Sequence, residues 1–334
     1  MSFLEKAWYK KATWLYLLLP LSWIFQTLAA LRRKLQSRAA AQQSVAVPVI
    51  VVGNISAGGT GKTPVLIGLA QHLKAQGLKP GIISRGYKAA AEQFPLLVNE
   101  VDDTAVTGDE PALIARQTDC PVVIDPDRLR ACRFLLEQAE VDVILSDDGL
   151  QHYRLPRDIE IAVVDGQRLF GNGLCFPAGP LREPPSRLAS VDYCIVNGEP
   201  DQLPAQLADC HAMQLRPRFL VNLASGDRRP FSGAPFKLGN RVQAVTGIGN
   251  PQRFFDLLAD LPYPLQTFPF PDHHPFCEED FTDTDIDPAQ PIVMTEKDGI
   301  KCKAFAKDNF WELQADVVLP EPLLQEITDR IKGA

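Results

Sequence analysis

The segment GGTGKT, residues 58–63, combines glycine, lysine and threonine in an order that suits the binding of phosphate groups. Glycines let the backbone turn tightly, so that its N–H groups converge on phosphate oxygens at the start of a helix. Lys62 would then reach the β- and γ-phosphates of a nucleotide, and the hydroxyl of Thr63 could hold Mg²⁺. The segment therefore predicts a binding site for a nucleoside triphosphate.

The surroundings favour a ligand-binding loop over a glycine-rich turn without a ligand. The apolar run VPVIVV, residues 47–52, predicts a buried strand before the loop, and the apolar spacing after it predicts a helix that accepts Pro64 in its first turn. The strict pattern has glycine where this chain has Ser56, so the loop is closer to the deviant loops of the ParA-like ATPases. The predicted nucleotide-binding residues are Asn54, Ser56, Ala57, Gly58, Gly59, Thr60, Gly61, Lys62, Thr63 and Pro64.

A second chemical signal is the apolar segment VDVILSDD, residues 141–148, which ends in two carboxylates. In P-loop folds such a Walker B strand delivers an aspartate next to the Mg²⁺ held by the loop. A strand ending in Asp-Asp is by itself more often a turn signal, but the phosphate loop upstream favours the metal. Asp147 and Asp148 are therefore predicted, with Thr63, to ligate Mg²⁺, and which of the two does so directly stays open.

A third segment, residues 166–188, is polar, rich in proline and glycine, and longer than an ordinary connection. Pro180 and the pair 184–185 flank Arg182 and Glu183 and would present them rigidly. Arg182 is expected to meet a phosphate or the substrate. The alternative is that these charged side chains lie on the protein surface and contact only solvent.

The elements that must position these residues predict an α/β fold with a doubly wound sheet of the P-loop NTPase type, in which sites form at the carboxyl ends of strands. Strands are predicted within residues 47–52, 78–88, 120–128, 141–148, 159–165 and 191–197. A strand, a glycine turn at 247–251 and an amphipathic helix then predict a second, smaller Rossmann-like α/β domain. The predicted boundaries are 1–40 for an N-terminal membrane-associating helix region, 41–215 for the P-loop domain, 216–235 for a linker or hairpin, and 236–334 for the smaller domain.

The composition limits the classes of protein to which the chain can belong. A chain of 334 residues with 46% hydrophobic residues can bury the cores of two domains, and a net charge of −7 argues against bulk nucleic-acid binding. The seven cysteines are odd in number and form no C-x-x-C pair, so neither a disulfide framework nor a zinc site is predicted. They are expected to be reduced thiols that pack in the core.

The N-terminus is basic and apolar. Twenty uncharged residues separate Lys11 from Arg32, and three of the four tryptophans lie in this region, as expected at a membrane interface. A spanning helix would carry the first lysines across the bilayer against the positive-inside rule, so a bent interfacial anchor is favoured. A true span and a helix packed on the protein's own core remain the alternatives. A cleaved signal peptide is not expected, because the nucleotide site requires the cytosol.

Taken together, the motifs resemble those of the tetraacyldisaccharide 4'-kinase family, the kinases of lipid A biosynthesis. They are, in chain order, VGNISAGGTGKTP, SRGY, GDEP, DR, SDDGLQHYRL, GPLRE, TGIGNP, PDHH and TEKDGIKC. The resemblance runs along nearly the whole chain. No single motif beyond the P-loop is decisive, but the ordered series is highly specific. It implies transfer of the γ-phosphate of ATP, with Mg²⁺, to the 4'-hydroxyl of a tetraacylated disaccharide 1-phosphate. The implied location is the cytoplasmic face of the inner membrane, with a peripheral or monotopic attachment.

The resemblance also implies roles for residues outside the P-loop. Asp109 of GDEP would accept the hydroxyl proton, coupled to His273 of PDHH, and closure of the two domains would assemble the pair. On local grounds alone, GDEP fits a helix cap equally well. Arg182 would bind the transferred or the acceptor phosphate, and Glu183 would lie near the metal.

The implied lipid-binding residues are Tyr87, Arg128 and His152. His152 is as well suited to a structural hydrogen bond as to a role in the reaction. The expected partners are the acylated disaccharide phosphate and the inner-membrane surface, with no nucleic acid and no obligate protein partner.

Two other classes stay open on the sequence. One is a membrane-associated ParA-like ATPase switch, although such proteins usually carry a signature lysine where this chain has Ala57. The other is a metallochaperone of the same P-loop branch, which would need a Cys/His cluster at ligand spacing. The adjacent pair His273–His274 does not provide one.

Overall fold

The computed structural model describes residues 3–87, 89–98, 104–199, 202–237, 239–282 and 285–333. The chain divides into two compact units. The first unit contains Met1–Gln214 and Val318–Ala334, and the second contains Leu215–Val317.

The first unit is built around a mostly parallel sheet. Its elements are α1 (Phe3–Tyr9), a 3-10 helix (Thr13–Leu18), α2 (Leu19–Ala40), β1 (Val49–Gly53), α3 (Lys62–Ala75), β2 (Pro80–Ser84), β3 (Leu96–Val98), α4 (Thr104–Thr107), α5 (Asp109–Thr118), β4 (Val122–Ile124), α6 (Arg128–Gln138), β5 (Val143–Asp147), β6 (Ile159–Asp165), β7 (Tyr193–Asn197), the start of β8 (His211–Asn222) and α10 (Glu321–Lys332). The strand order is β7-β6-β1-β5-β2-β4-β3, and only β3 runs antiparallel to its neighbour. The predicted doubly wound α/β sheet is confirmed.

Burial explains why these segments form strands. Every residue of β1, β2, β4 and β5 is buried, as expected for parallel strands that helices cover on both faces. The β-branched residues in these runs suit a pleated, fully buried backbone. The order places the carboxyl ends of β1 and β5 side by side, since Val52 pairs with Asp147. The phosphate loop and the two aspartates therefore meet at one edge of the sheet.

The C-terminal helix belongs to the first unit, whereas the predicted boundaries placed it in the smaller domain. Helix α10 packs on α3, and the buried Thr328 hydroxyl lies 3.2 Å from Nε2 of His72. The Tyr193 hydroxyl donates to Glu326 at 3.0 Å, and Arg330 forms an ion pair with Asp192. An amphipathic pattern shows that a helix has an apolar face, but it does not show which core receives that face.

The N-terminal helices dock on the long loop after β6. Ser22 is buried and donates to the carbonyl oxygen of Cys175 at 2.9 Å, and the Trp8 indole donates to the carbonyl of Pro177 at 3.0 Å. The other side of the segment is apolar and exposed, with Leu17 82% and Trp23 63% exposed. Residues Thr13–Ala40 are long and apolar enough to cross a membrane by length and composition. Their exposure argues against a helix buried in the protein's own core.

The second unit contains a mixed sheet. Its elements are the rest of β8, β9 (Arg228–Pro230), β10 (Val242–Thr246), α7 (Pro251–Leu258), β11 (Leu265–Pro269), α8 (Glu279–Thr282), β12 (Ile292–Thr295), α9 (Glu296–Cys302) and β13 (Phe310–Val318). The order is β11-β10-β12-β13-β8, and β9 pairs antiparallel with β8 where a linker or hairpin was predicted. Apolar side chains from β10, α7 and β13 form a core that includes Phe254, Phe255 and Trp311.

Two cysteines differ from the expectation of reduced thiols. Cys194 on β7 and Cys210, just before β8, are joined by a disulfide bond, with their Cα atoms 4.7 Å apart. The pairing of β7 with β8 brings the two residues together across 16 positions of sequence, which their spacing alone did not reveal. Cys120, Cys132, Cys175, Cys277 and Cys302 are free thiols, and all of these except Cys277 are buried.

Candidate active site

The phosphate loop connects the carboxyl end of β1 to the start of α3. Gly58 and Gly61 have φ angles of 98° and 94°, which residues with a Cβ rarely adopt. A Cβ on Gly53 would overlap with Leu150, so this glycine lets the loop pass close to the residues that follow β5. Lys62 and Thr63 are the first two residues of α3 and are half-buried. The loop thus has the form of a phosphate cradle at a helix N-terminus.

Three amide side chains hold this loop. Nδ2 of Asn54 donates to the carbonyl of Gly58 at 3.3 Å, and Nε2 of Gln151 donates to the carbonyl of Asn54 at 2.8 Å. Nδ2 of Asn197 donates to the carbonyl of Thr60 at 3.0 Å. Each amide occupies a carbonyl of the loop and so restrains its backbone.

Several buried oxygen atoms around the loop have no hydrogen-bond partner within the part of the chain that the structure describes. They are Oδ1 of Asn54, Oγ1 of Thr60 and Oδ1 of Asp147. Buried polar atoms are nearly always paired, because an unpaired one costs about 1–3 kcal/mol. Unsatisfied oxygen atoms beside a phosphate loop therefore point to a ligand with donor groups or a cation.

Lys62, Asp148 and Arg182 converge at the start of α3. Nζ of Lys62 lies 3.5 Å from Oδ1 of Asp148, and Nη1 of Arg182 lies 3.2 Å from each oxygen of the same carboxylate. Burial alone would raise the pKa of Asp148, but the charges of Lys62 and Arg182 lower it to about 2. Asp148 is therefore a carboxylate at neutral pH, and two cations stand beside it.

Asp147 is 1% exposed and has different surroundings. Its Oδ2 accepts a hydrogen bond from the Ser84 hydroxyl at 3.2 Å, while its backbone carbonyl accepts from Arg128 at 2.8 Å. Burial, and then repulsion by Glu110 and Asp148, raise the pKa of Asp147 to about 7. A group with this electrostatic environment is stabilised as a carboxylate by any additional positive charge nearby.

Glu183 lies beside this cluster in a buried network. Its Oε1 accepts from Gln151 at 2.9 Å, its Oε2 accepts from the Tyr153 hydroxyl, and Arg187 forms an ion pair with it at 3.5 Å. Burial and the Glu183 carboxylate raise the pKa of Tyr153 to about 12, so the phenol remains a proton donor. Both oxygens of Glu183 thus have protein partners, and its predicted contact with a metal stays a prediction.

Asp109 and Glu110 begin helix α5, as the GDEP motif predicts. Gly108 precedes them with a φ of 88°, and a Cβ there would lie 3.0 Å from the carbonyl of Tyr87. The GDEP and SRGY motifs therefore contact each other. Asp109 is half-buried and the Tyr87 side chain is 60% exposed, so both can be reached from solvent.

The other two predicted lipid-binding residues are more enclosed. Arg128 is 2% exposed, and its guanidinium donates to the carbonyls of Asp125 and Asp147, which supports the end of β5. His152 is half-buried, and burial followed by the charges of Arg128 and Arg157 lowers its pKa to about 4. His152 is therefore neutral at physiological pH, and contact of either residue with a lipid stays a prediction.

His273 lies in the second unit, in a left-handed conformation with a φ of 59°. Its backbone N–H donates to the carbonyl of Gly247 at 2.9 Å, and Nζ of Lys297 lies 3.4 Å from its Nε2. The fully buried carboxylate of Asp298 in turn accepts from the N–H of Gly247 at 3.1 Å and from the hydroxyl of Thr246 at 2.8 Å. The TGIGNP, PDHH and TEKD motifs thus form one cluster that fixes the backbone at His273.

Sequence reasoning missed several residues of the first unit that the structure brings to this edge of the sheet. Gln151 links the loop to Glu183, Glu110 acts electrostatically on Asp147, and Asn197 binds the loop from β7. Gln151 lies in the motif SDDGLQHYRL, three residues after Asp148, and Glu110 lies in GDEP, directly after Asp109. This closeness in sequence was the available signal. Within the described residues, no group of three or more His, Cys, Asp or Glu side chains could hold a metal ion.

A phosphate loop, a strand ending in two aspartates and a doubly wound sheet define a protein of the P-loop NTPase class. The family model for tetraacyldisaccharide-1-P 4'-kinase matches residues 14–332. The chain belongs to the tetraacyldisaccharide 4'-kinase family. The resemblance drawn from the motifs is thereby confirmed.

Individual relatives agree over nearly the full length. A tetraacyldisaccharide 4'-kinase of Hahella chejuensis is 43% identical over 99% of this chain and 97% of its own, and one of Pseudomonas paraeruginosa is 47% identical over 96% and 95%. The crystal structure of LpxK from Aquifex aeolicus in complex with ATP matches with a TM-score of 0.75 and 28% identity, covering 96% of this chain and 98% of that one. A ParA-like switch is not favoured by these relatives.

Proposed function

We propose that the chain transfers the γ-phosphate of ATP to the 4'-hydroxyl of tetraacyldisaccharide 1-phosphate, in the biosynthesis of lipid A. The observation that carries the proposal is the convergence of Lys62, Arg182 and Asp148 within 3.5 Å at the start of the phosphate loop helix. Phosphoryl transfer needs positive charge around the γ-phosphate and a positioned acceptor, and little covalent chemistry by the protein.

The nucleotide phosphates would lie against the N–H groups of residues 58–63, with Lys62 neutralising the transferred group. Thr63, Asp147 and Asp148 would hold Mg²⁺. The residues fit this ion, because Mg²⁺ in kinase sites takes one or two carboxylates together with phosphate oxygens, and Oδ1 of Asp147 is buried without a partner among the described residues. When bound, Mg²⁺ would neutralise charge on the phosphates.

In the reaction, the 4'-oxygen of the lipid forms a bond to the γ-phosphorus while the bond from that phosphorus to ADP breaks. The hydroxyl proton goes to Asp109, whose half-buried carboxylate begins α5. Arg182 stabilises the negative charge on the phosphate during transfer. The family motifs imply further roles. They place Glu183 near the metal and pair His273 with Asp109, and the implied lipid-binding residues are Tyr87, Arg128 and His152.

The lipid acceptor also explains the exposed apolar helix. A substrate with four acyl chains stays in the bilayer, so the enzyme must work at the membrane surface. We infer that α2 lies in the interface on the cytoplasmic face of the inner membrane, where ATP is present. Arg32 and Lys34, which are exposed in its C-terminal half, would face anionic headgroups, whereas Arg33 donates to the Ser190 hydroxyl of the protein at 3.2 Å.

The proposal is tested by incubating the full-length protein with ATP, Mg²⁺ and tetraacyldisaccharide 1-phosphate in detergent micelles. Mass spectrometry should show a lipid heavier by one phosphate, and fragmentation should place this phosphate on the 4'-oxygen. Hydrolysis of ATP without any phosphorylated lipid would refute the kinase assignment in favour of an ATPase switch.

A further inference from the structure

Asn197, the last residue of β7, lies against the phosphate loop although no motif of the sequence includes it. Its side chain is 2% exposed, and Nδ2 donates to the carbonyl oxygen of Thr60 at 3.0 Å. A Cβ on Gly61 would overlap with this nitrogen, so the amide fills the space that a side chain at residue 61 would need. The contact therefore depends on both the asparagine and the glycine.

The backbone that carries Asn197 is rigidly held. Strand β7 pairs with β6, and Asn197 stands opposite Asp165 in that register. The carbonyl of Asn197 accepts from the N–H of Gly166 at 3.0 Å, and the N–H of Gly198 donates to the carbonyl of Met213 at 2.9 Å. The side chain thus reaches the flexible glycine loop from a fixed strand end.

The hydrogen bond sets the direction of a peptide group in the loop. In a trans peptide the C=O and the N–H point in opposite directions. When the carbonyl of Thr60 points at Asn197, the N–H of Gly61 must point away from it. This N–H is one of the donors of a phosphate loop, and the next residue is Lys62 at the start of α3.

We propose that Asn197 is a positioning residue that holds the phosphate loop in its ATP-binding conformation. The inference rests on the proposed function, in which ATP donates the phosphate. Without the amide, the buried Thr60 carbonyl loses its donor and the glycine loop adopts other conformations. If the loop adopts its ATP-binding conformation in only a fraction of the molecules, the apparent affinity for ATP is reduced by that fraction.

The test compares Asn197→Ala and the isosteric Asn197→Asp with the wild type in the full-length protein. Calorimetry with a non-hydrolysable ATP analogue, without lipid, should show about tenfold weaker binding, and the KM for ATP should rise by about the same factor. The kcat and the KM for the lipid should change by less than about twofold, because the lost interaction is the same in the ground state and the transition state.

Asn222→Ala is the matched control. Asn222 is 3% exposed and ends β8, where its Nδ2 donates to the carbonyl of Asp308 at 2.7 Å and its Oδ1 accepts from the N–H groups of Ala224 and Ser225 and from the Ser225 hydroxyl. Its loss therefore removes at least as many hydrogen bonds as the loss of the Asn197 contact, but in the second unit. Asn222→Ala should lower the Tm and leave the affinity for the analogue unchanged.

The inference is overturned if the Asn197 variants bind the analogue like the wild type, or if Asn222→Ala weakens binding equally. Should Asn197→Ala fail to fold, the isosteric variant decides. A wild type that binds the analogue but phosphorylates no lipid would overturn the proposed function alone.

Discussion

Asp147 and Asp148 follow one another at the end of β5, yet their carboxyl groups have opposite electrostatic surroundings. Asp148 faces Lys62 and Arg182, and its pKa is lowered to about 2, whereas burial and neighbouring carboxylates raise the pKa of Asp147 to about 7. The backbone of Asp148 has a φ of 45°, which turns the chain between the two side chains. The site thus holds one fixed negative charge and one carboxyl group that a cation would ionise.

The position of Arg182 predicts a large effect of its removal on the chemical step. Its Nη1 lies 3.2 Å from both oxygens of Asp148, where the transferred phosphate would approach. Arg182→Ala should lower kcat by about a hundredfold or more, since losing one charge-stabilising donor has effects of this size. Arg182→Lys should recover only part of the rate, because lysine lacks the planar pair of donors.

The control for this experiment is Arg218→Ala. Arg218 forms an exposed ion pair with Asp316 at 3.3 Å, and such pairs contribute only about 0–1 kcal/mol. The kcat of this variant should match the wild type. An unchanged kcat in Arg182→Ala would remove Arg182 from the mechanism.

His152 predicts a specific loss of stability in mild acid. Its pKa falls from 6.5 to about 4 on folding, because of burial and the charges of Arg128 and Arg157. Between these two values the unfolded chain takes up a proton that the folded chain does not, so the free energy of unfolding decreases as the pH falls. The stabilising contribution is fully present only above pH 6.5.

Thermal or urea unfolding of wild type and His152→Asn, followed from about pH 7 to about pH 4.5, measures this effect. The wild type should lose stability more steeply than the variant over this range. Parallel curves would show that His152 is not the group responsible.

The exposed strip on α2 predicts binding to lipid bilayers. Leu21, Ile24, Leu28, Leu31 and Leu35 are all more than half exposed and recur at helical spacing. Leu31→Glu should weaken co-sedimentation with vesicles of phosphatidylethanolamine and phosphatidylglycerol by about tenfold or more, since a buried leucine contributes about 1.5–3 kcal/mol. Ser37→Glu adds the same charge at an exposed position outside the strip and should have a much smaller effect. Equal loss in both variants would indicate simple charge repulsion.

The sequence predicted the parts of the fold whose signals are local. Buried strands such as β1 are runs of β-branched residues, and the phosphate loop has a recognisable order of residue types. Strand β3 and helix α4 were not predicted, because elements of three and four residues carry no periodic pattern. The disulfide between Cys194 and Cys210 depends on strand pairing, which the spacing of cysteines does not reveal.

The same distinction applies to the site. Lys62, Asp147 and Asp148 belong to motifs that state their own chemistry, and the structure brings all three to one sheet edge. Asn197 contacts Thr60 across 137 positions, and a single asparagine at the end of a strand looks like an ordinary turn residue. Side chains that act by holding a loop are visible only after the sheet order is known.

Lys62 and Asp109 are expected to carry phosphoryl transfer, which is tested most directly by the rate of lipid phosphorylation in Lys62→Ala and Asp109→Ala. The matched controls are Lys74→Ala and Asp119→Ala, since these residues lie at the far ends of the same two helices and form an exposed ion pair at 3.4 Å. Formation of the bisphosphorylated lipid should fall by about a hundredfold or more in both site variants and stay near the wild-type rate in both controls. A wild-type rate in either Lys62→Ala or Asp109→Ala, with folding intact, would show that the substituted residue is not needed for phosphoryl transfer.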